Sequence, residues 1–445
     1  MKKIFTMMVL VSLIVSMDVD ARSKRKKESF PDGTEIPVWF NDTVRVNPNT
    51  LGKRYVITDY GVMMDSTLVQ TDAIQQVIDR VAGEGGGVVV IPHGTFLSGS
   101  LFFRQGTHLL LEEGARLKGS DRIRDFKVLT TRIEGQTCKY FAALVNADGV
   151  DGFVICGKGT IDGNGLSYWE EFWIRREWNR NCTNKDAQRP RLVYISNSKN
   201  VCIQGVNLVN SPYWTTHIYR CERVRYQDLR IMSSTSGVLA PSTDAIDVDG
   251  CTDVHVRNCY MSVNDDGVCM KGGKGTWADK DSTNSPVRNV IIEQCTFGLV
   301  HGCLTLGSEA YDCRNIILRN CTAENSWNVL MLKMRPDTPQ KYEYVRIENM
   351  KGKCRNFLNV HRWTQFFKME ERSDMPVSVC RHITMRGIEM ECRNFYNVPV
   401  KGQFELSDFS FENIRVKDDA KDMPFHATRI PNTVVKNVMI NGKEM

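Results

Sequence analysis

Asn200-Val201-Cys202-Ile203, Arg223-Val224-Arg225-Tyr226, Asp253-Val254-His255-Val256, Asn289-Val290-Ile291-Ile292 and Asn315-Ile316-Ile317-Leu318 repeat one short phrase: a polar residue, then an apolar–x–apolar strand. Further copies open at Tyr344, His382, Asp408 and Asn437, so the phrase returns every 23 to 38 residues. Successive side chains of a strand point to opposite faces, so each copy buries two apolar side chains together. Spacing this irregular excludes leucine-rich repeats and propeller blades, which keep a fixed period. It suits a solenoid whose coils share a strand core and differ in their loops. In a parallel β-helix each coil pairs with the coils above and below, about 4.8 Å away, and inward Val, Ile and Leu stack into columns. The sequence therefore predicts an all-β chain wound as a right-handed parallel β-helix. A β-sandwich is the rival. It needs tight hairpin turns between adjacent strands, and few Asn-Gly or Asp-Gly pairs separate these copies.

Working outward, Ile74, Val77, Ile78 and Val81 recur at helical spacing and Gly83 follows as a stop. This helix is expected to cap the open N-terminal end of the solenoid core. The aromatic and charged run Tyr168–Trp178 reads as a short helical insertion between coils, either packed cover or a wall of a binding cleft. Lys2 and Lys3, the apolar run Ile4–Met17 and Val19-Asp20-Ala21 read as a secretory signal over residues 1–21; a membrane anchor is the alternative. Residues 22–50 are an N-terminal extension opening with the basic run Arg22–Lys27, a solvated tail, and 51–445 are one β-helix domain. The protein is expected to be exported to the periplasm or beyond, as a monomer with no stable membrane insertion.

The fifteen cysteines are odd in number and sit at the ends of apolar runs, so most are expected to be buried, stacked thiols. No CxxC pair points to structural zinc. The net charge of +6 is mild. It would tolerate a polyanion, but no nucleic-acid motif is present, and nucleic acid is not expected as a partner.

Carboxylates concentrate in Thr243-Asp244-Ala245-Ile246-Asp247-Val248-Asp249 and Asn264-Asp265-Asp266-Gly267, about one coil apart. Acids packed together raise at least one pKa and keep a carboxyl protonated. That is what an acid/base pair needs, and an inverting glycosidase would set the two about 6.5–9.5 Å apart. His301 follows one coil later, and Lys333 with Arg335 on the next, so a cationic pair stands beside the acids and suits a substrate bearing a carboxylate. Asp247, Asp249 and Asp253 read as turn or calcium-type residues. No cofactor or metal is implied, since general acid and base suffice.

These motifs resemble glycoside hydrolase family 28, the polygalacturonases, in order from about Tyr55 onward. Ile91–Gly99 resembles the family's "IPxGTFLTG", Gly159–Gly163 its "GTIDG", and Asn210–Trp214 with His217 its "NSPxWxxH". Thr243-Asp244 stands for "NTDG", Asp265-Asp266 for "DD", His301-Gly302 for "GHG" and Lys333 for the lysine of "RIK". The resemblance implies an inverting hydrolase of α-galacturonosyl linkages in pectin. Asp265 would be the general acid, Asp244 and Asp266 would hold the water, His301 would tune the acid, and Lys333 would bind the sugar beside the scissile bond. Trp214, His217, Asn264 and Arg335 are further expected substrate contacts. Ala245 and Val300 replace motif glycines. Met331 replaces the arginine of "RIK", which implies either that Arg335 substitutes or that the leaving sugar has no carboxylate, as rhamnose in rhamnogalacturonan has none. The Lys271–Pro286 stretch is long enough to block one end of a cleft and favour exo action. Two alternatives remain: a pectate lyase-type enzyme with calcium and an arginine base, and a non-catalytic polysaccharide-binding β-helix.

Overall fold

The computed structural model describes residues 28–233, 237–399, 402–419 and 425–445, and over these the chain winds as a parallel β-helix. The expected signal and the basic run lie outside the described residues. Eight of the nine copies of the phrase stack in one sheet: Val201, Val224, Val254, Val290, Ile316, Val345, Ile383 and Phe409 pair in register from coil to coil. All eight are buried. The ninth copy lies one sheet further round, with Val438 paired to Ile414.

The polar residue that opens each of the eight copies has a positive φ of 50–60°, from Asn200 to Asp408. That conformation puts one left-handed residue at the same point of every coil, where Asn and Asp are tolerated best because their short polar side chains bond locally. Some of those side chains bond up the stack: Asn289 Nδ2 donates to Asp253 Oδ1 (2.9 Å) and Asn315 Nδ2 to Asn289 Oδ1 (3.3 Å).

Helix α1 (Thr71–Gly83) buries Ile74, Val77, Ile78 and Val81 against the first coil. Helix α2 (Leu166–Trp178) is the expected insertion, with Tyr168, Trp169 and Phe172 buried. The described part of the extension forms a strap over the outside of the first sheet. Phe30, Ile36 and Phe40 cover Ile291 and Ile317, Arg314 Nη2 holds Asp32 at 3.1 Å, and the Val46 amide and carbonyl both pair with the Gln204 side chain. All fifteen cysteines are free thiols, fourteen of them buried. Cys221 N donates to Cys251 Sγ and Cys295 N to Cys321 Sγ, and Cys354 and Cys392 Sγ lie 3.4 Å apart. Among the described residues, no helix is long and apolar enough to cross a membrane.

Candidate active site

Five consecutive strands of another sheet carry the site: β1 (Thr216–Tyr219), β2 (Ile246–Asp249), β3 (Val268–Lys271), β4 (Leu304–Leu306) and the far end of β5 (Thr322–Met334). Thr216, Ile246, Val268, Leu304 and Leu330 pair in register along them. The register continues into the segments before the strands, where Thr215 N donates to Asp244 O, Ala245 N to Asp266 O and Gly267 N to Gly302 O, each at 2.8 Å. Side chains just upstream of the strands therefore stand coil upon coil. One carboxyl oxygen each from Asp244, Asp265 and Asp266 lies within 4.8 Å of the others. This bound is on one oxygen of each residue, and it is shorter than the gap of about 6.5–9.5 Å between the carboxyl groups of an inverting pair. The coil repeat sets the approach: neighbouring strands lie about 4.8 Å apart, and these carboxyls lie on neighbouring coils or side by side.

Three cations stand among the acids. Lys333 Nζ binds Asp266 Oδ2 at 2.6 Å, and Thr305 Oγ1 donates to Asp266 Oδ1 at 2.8 Å. Gly302 permits this contact, because a Cβ there would meet Thr305 Oγ1 at 2.2 Å. His301 Nδ1 lies 3.4 Å from Asp265 Oδ1. Lys271 Nζ reaches Glu309 at 3.0 Å, Asp244 at 3.6 Å and Asp247 at 3.7 Å, and sits 4.9 Å above the Trp214 ring.

The environments drive the acids apart. Burial, reinforced by the Asp265 charge, pushes the Asp244 carboxyl up to about 8. Burial is the strongest single influence on Asp265 and would raise it, but His301, with Lys333 and Lys271 behind it, outweighs burial and holds that carboxyl at about 2. The Asp265 contact raises His301 against the burial that would lower it. Below about pH 8 Asp244 thus tends to keep its proton, and the His301–Asp265 contact favours the imidazolium beside the carboxylate.

A cleft of about 590 Å³ opens over these groups. One wall is α2, which presents Phe172, Trp173 and Arg176, with Trp173 Nε1 donating to Leu239 O at 2.7 Å. The helix is both packed cover and cleft wall. Trp327, Met331 and Trp363 also line the cleft. The hairpin Val128–Ile133/Gln136–Phe141 reaches the cleft with its tip. Glu134 there accepts from Tyr213 Oη (2.8 Å) and Asn184 Nδ2 (3.0 Å), and faces Lys274 at 3.6 Å. Gly135 wedges the tip against the far side, since a Cβ on it would lie 2.8 Å from Glu309 Cβ. The hairpin is bolted down behind by Arg132, whose Nε binds Asp249 (3.1 Å) and whose Nη2 binds Asn284 (2.7 Å).

Of the residues singled out by sequence, Asp244, Asp265, Asp266, His301 and Lys333 come together here, and Asn264 and Trp214 line the cleft. Two do not reach it. His217 is fully buried between Arg191 (2.8 Å) and Asp249 (3.2 Å), and its ring meets Trp214 edge-on, so it supports the wall instead of touching ligand. Arg335 turns its fork onto Asp337, at 2.8 Å twice, and onto the Gln365 carbonyl. A guanidinium so held offers nothing to the cleft, and Arg335 does not substitute for the residue at Met331. Asp247 and Asp249 are buried strand residues, not turn positions. Sequence reading missed Lys271, Glu309, Glu134 and Trp327. Strand alternation could have found Lys271, which lies on the outward face of β3 with Cys269. Nothing in the repeat announces Glu134, because its hairpin lies outside the phrase.

The model of glycosyl hydrolases family 28 matches residues 116–423, well over half of the sequence. The chain belongs to glycosyl hydrolases family 28. An endo-polygalacturonase of Pectobacterium carotovorum subsp. carotovorum is 26% identical over 65% of this family 28 chain and 70% of its own. An exopolygalacturonase of Zea mays is 26% identical over 67% of this chain and 68% of its own. The chain spans about half of another relative, a "probable polygalacturonase" of Vitis vinifera, with 51% of that protein matched. Among solved structures, the exopolygalacturonase from Thermotoga maritima superposes with a TM-score of 0.66, at 19% identity over 88% of this chain and 93% of its own. A surface adhesin of Streptococcus pneumoniae shares the fold at a TM-score of 0.53 and 16% identity, over 87% of this chain and 90% of its own. The fold alone therefore does not decide between enzyme and binder.

Proposed function

We propose that this family 28 protein is an exported inverting hydrolase that removes galacturonosyl residues from the ends of pectic chains. The observation that carries this is the gathering of Asp244, Asp265 and Asp266 around one point of a walled cleft, with His301 and Lys333 holding their charges. Asp265, on the His301 side, is the proton source for the leaving oxygen. Substrate entry dries the cleft and raises the cost of separated charges, so the proton crosses the 3.4 Å contact from imidazolium to carboxyl. Asp244 and Asp266 hold the attacking water, with Lys333 fixing Asp266. Inversion is what the family resemblance implies, and NMR of the first anomer released tests it.

The leaving sugar is best read as neutral. Met331 lines the cleft where the family motif has arginine, and Arg335 is held by Asp337, so neither position supplies a guanidinium for a second carboxylate. This favours a galacturonosyl–rhamnose linkage in rhamnogalacturonan over a homogalacturonan bond. The wedged hairpin tip closes one end of the cleft and supports exo action, together with the Lys271–Pro286 stretch against which Gly135 packs. A lyase reading fits the donor set poorly. The three carboxylates already have His301, Lys333 and Lys271 as counter-charges, and the one arginine among the described residues lining the cleft, Arg176, lies against the Phe172 ring.

The test is product analysis on homogalacturonan, rhamnogalacturonan and defined oligomers, with wild type and Asp265→Asn. The expected result is release of saturated galacturonate from rhamnogalacturonan ends by wild type, with a rate loss of ~10²–10⁴ in the variant. Equal release by both proteins, or products absorbing in the ultraviolet, would remove this mechanism.

A further inference from the structure

Asp265, His301 and Trp327 form a column across three consecutive coils. Each lies three residues before Val268, Leu304 and Leu330, which pair in register. The backbone follows the same stacking, with His301 N donating to Asp265 O and Trp327 N to Val300 O, both at 2.8 Å. Asn328, next in the chain, donates its Nδ2 to the His301 carbonyl at 2.5 Å. The His301 ring is thus held between a carboxylate on one coil and an indole on the next. The indole is nearly parallel to it, with centroids 4.2 Å apart and planes 22° apart.

We propose that Trp327 is a positioning residue for His301: its indole face keeps Nδ1 turned to Asp265 and favours the protonated ring. An imidazolium over an aromatic face is attracted by the ring quadrupole, while a neutral imidazole gains much less. The other charges near His301 are Asp265 at 3.4 Å, and Asp266 and Lys333, which pair with each other at 2.6 Å. The raised proton affinity of His301 agrees with this surrounding, with burial opposing and Asp265 favouring the charge. Trp327 is also 43% exposed in the cleft wall, so a simple platform for a sugar ring is the competing role.

The catalytic consequence rests on the His301–Asp265 pair being the proton source; the stacking itself does not. The test titrates the His301 imidazole by NMR in the full chain, for wild type, Trp327→Leu and Trp327→Phe, beside pH profiles of kcat and kcat/KM. The expected result in Trp327→Leu is a midpoint lowered by roughly half to one pH unit. The alkaline limb of kcat/KM moves down by the same amount, and kcat falls more than KM rises. Trp327→Phe keeps an aromatic face and shows a smaller shift. An unchanged midpoint with only KM raised would overturn the proposal and leave Trp327 a sugar platform. A shifted midpoint with an unmoved activity profile would uphold the stacking and reject the proton-source reading of the function.

Discussion

At the residue scale, the site is a set of charges that neighbouring coils bring too close to ionise together. Asp244 shows what this does to stability. Its folded pKa of about 8 lies above an unfolded value near 4, so the folded state takes up a proton as pH falls. That contribution is complete below about pH 4 and is lost as pH rises toward 8. His301 acts in the same direction, because its folded value is raised as well. His217, lowered by burial to about 4, opposes them as pH falls from near 6.5 toward 4, but its shift is smaller than that of Asp244; Asp265 opposes them only where pH drops from near 4 toward 2. The protein should therefore melt at a higher temperature at pH 5 than at pH 8. Asp244→Asn should narrow that difference, chiefly by raising the melting temperature at pH 8. Calorimetry across the range checks this, and a melting temperature that climbs steadily from pH 5 to 8 would contradict it. Lys333→Met should leave Asp266, which is fully buried, without its ammonium. Removing one partner of such a pair costs about 3–5 kcal/mol, so a loss in denaturant stability is expected alongside the loss of turnover.

At the element scale, the hairpin Val128–Ile133/Gln136–Phe141 matters most, because it ties one lip of the cleft to the other. Its root depends on Arg132, paired with Asp249 where neither side chain is exposed. Arg132→Leu should destabilise the fold by about 3–5 kcal/mol, since Asp249 would be left buried with only His217. The milder change Glu134→Ala removes the links to Tyr213, Asn184 and Lys274 and leaves the root in place. It should loosen the closed end, so that chromatography of the digest shows longer oligomers where wild type releases single residues. A product pattern identical to wild type would mean that Glu134 does not hold the cleft end closed. Helix α2 shows how one short element serves two purposes. Tyr168, Trp169 and Phe172 anchor it in the interior, and the same turn leaves Trp173 at the cleft.

At the scale of the whole molecule, the solenoid separates stability from chemistry. The strap of residues 28–50 covers one sheet, and the carboxylates stand on another. Phe40, 4% exposed, closes the strap over Ile291 and Ile317. Phe40→Ala should cost about 3–5 kcal/mol in denaturant unfolding while the pH profile of activity stays unchanged; a shifted profile would show the two sheets to be coupled. The sequence by itself determined the coil. The apolar–x–apolar phrase encodes a strand with one buried face, and that pattern is local, so all nine copies were legible as coil strands, though only the structure moved the ninth out of the common sheet. It also set the order of acids, histidine and lysine along the coils, because coil order is chain order in a solenoid. The left-handed residue opening each copy was present as a polar letter, but a letter does not state a backbone angle. Only the tertiary structure decided which charged side chains face the cleft. His217 and Arg335 stand in motif-like positions, yet Asp249 and Asp337 hold them away from it, while Glu134 arrives from a hairpin more than a hundred residues before Asp244. Strand pairing repeats a short-range rule; the partner a buried charge finds depends on chain segments that meet only once the coil is wound.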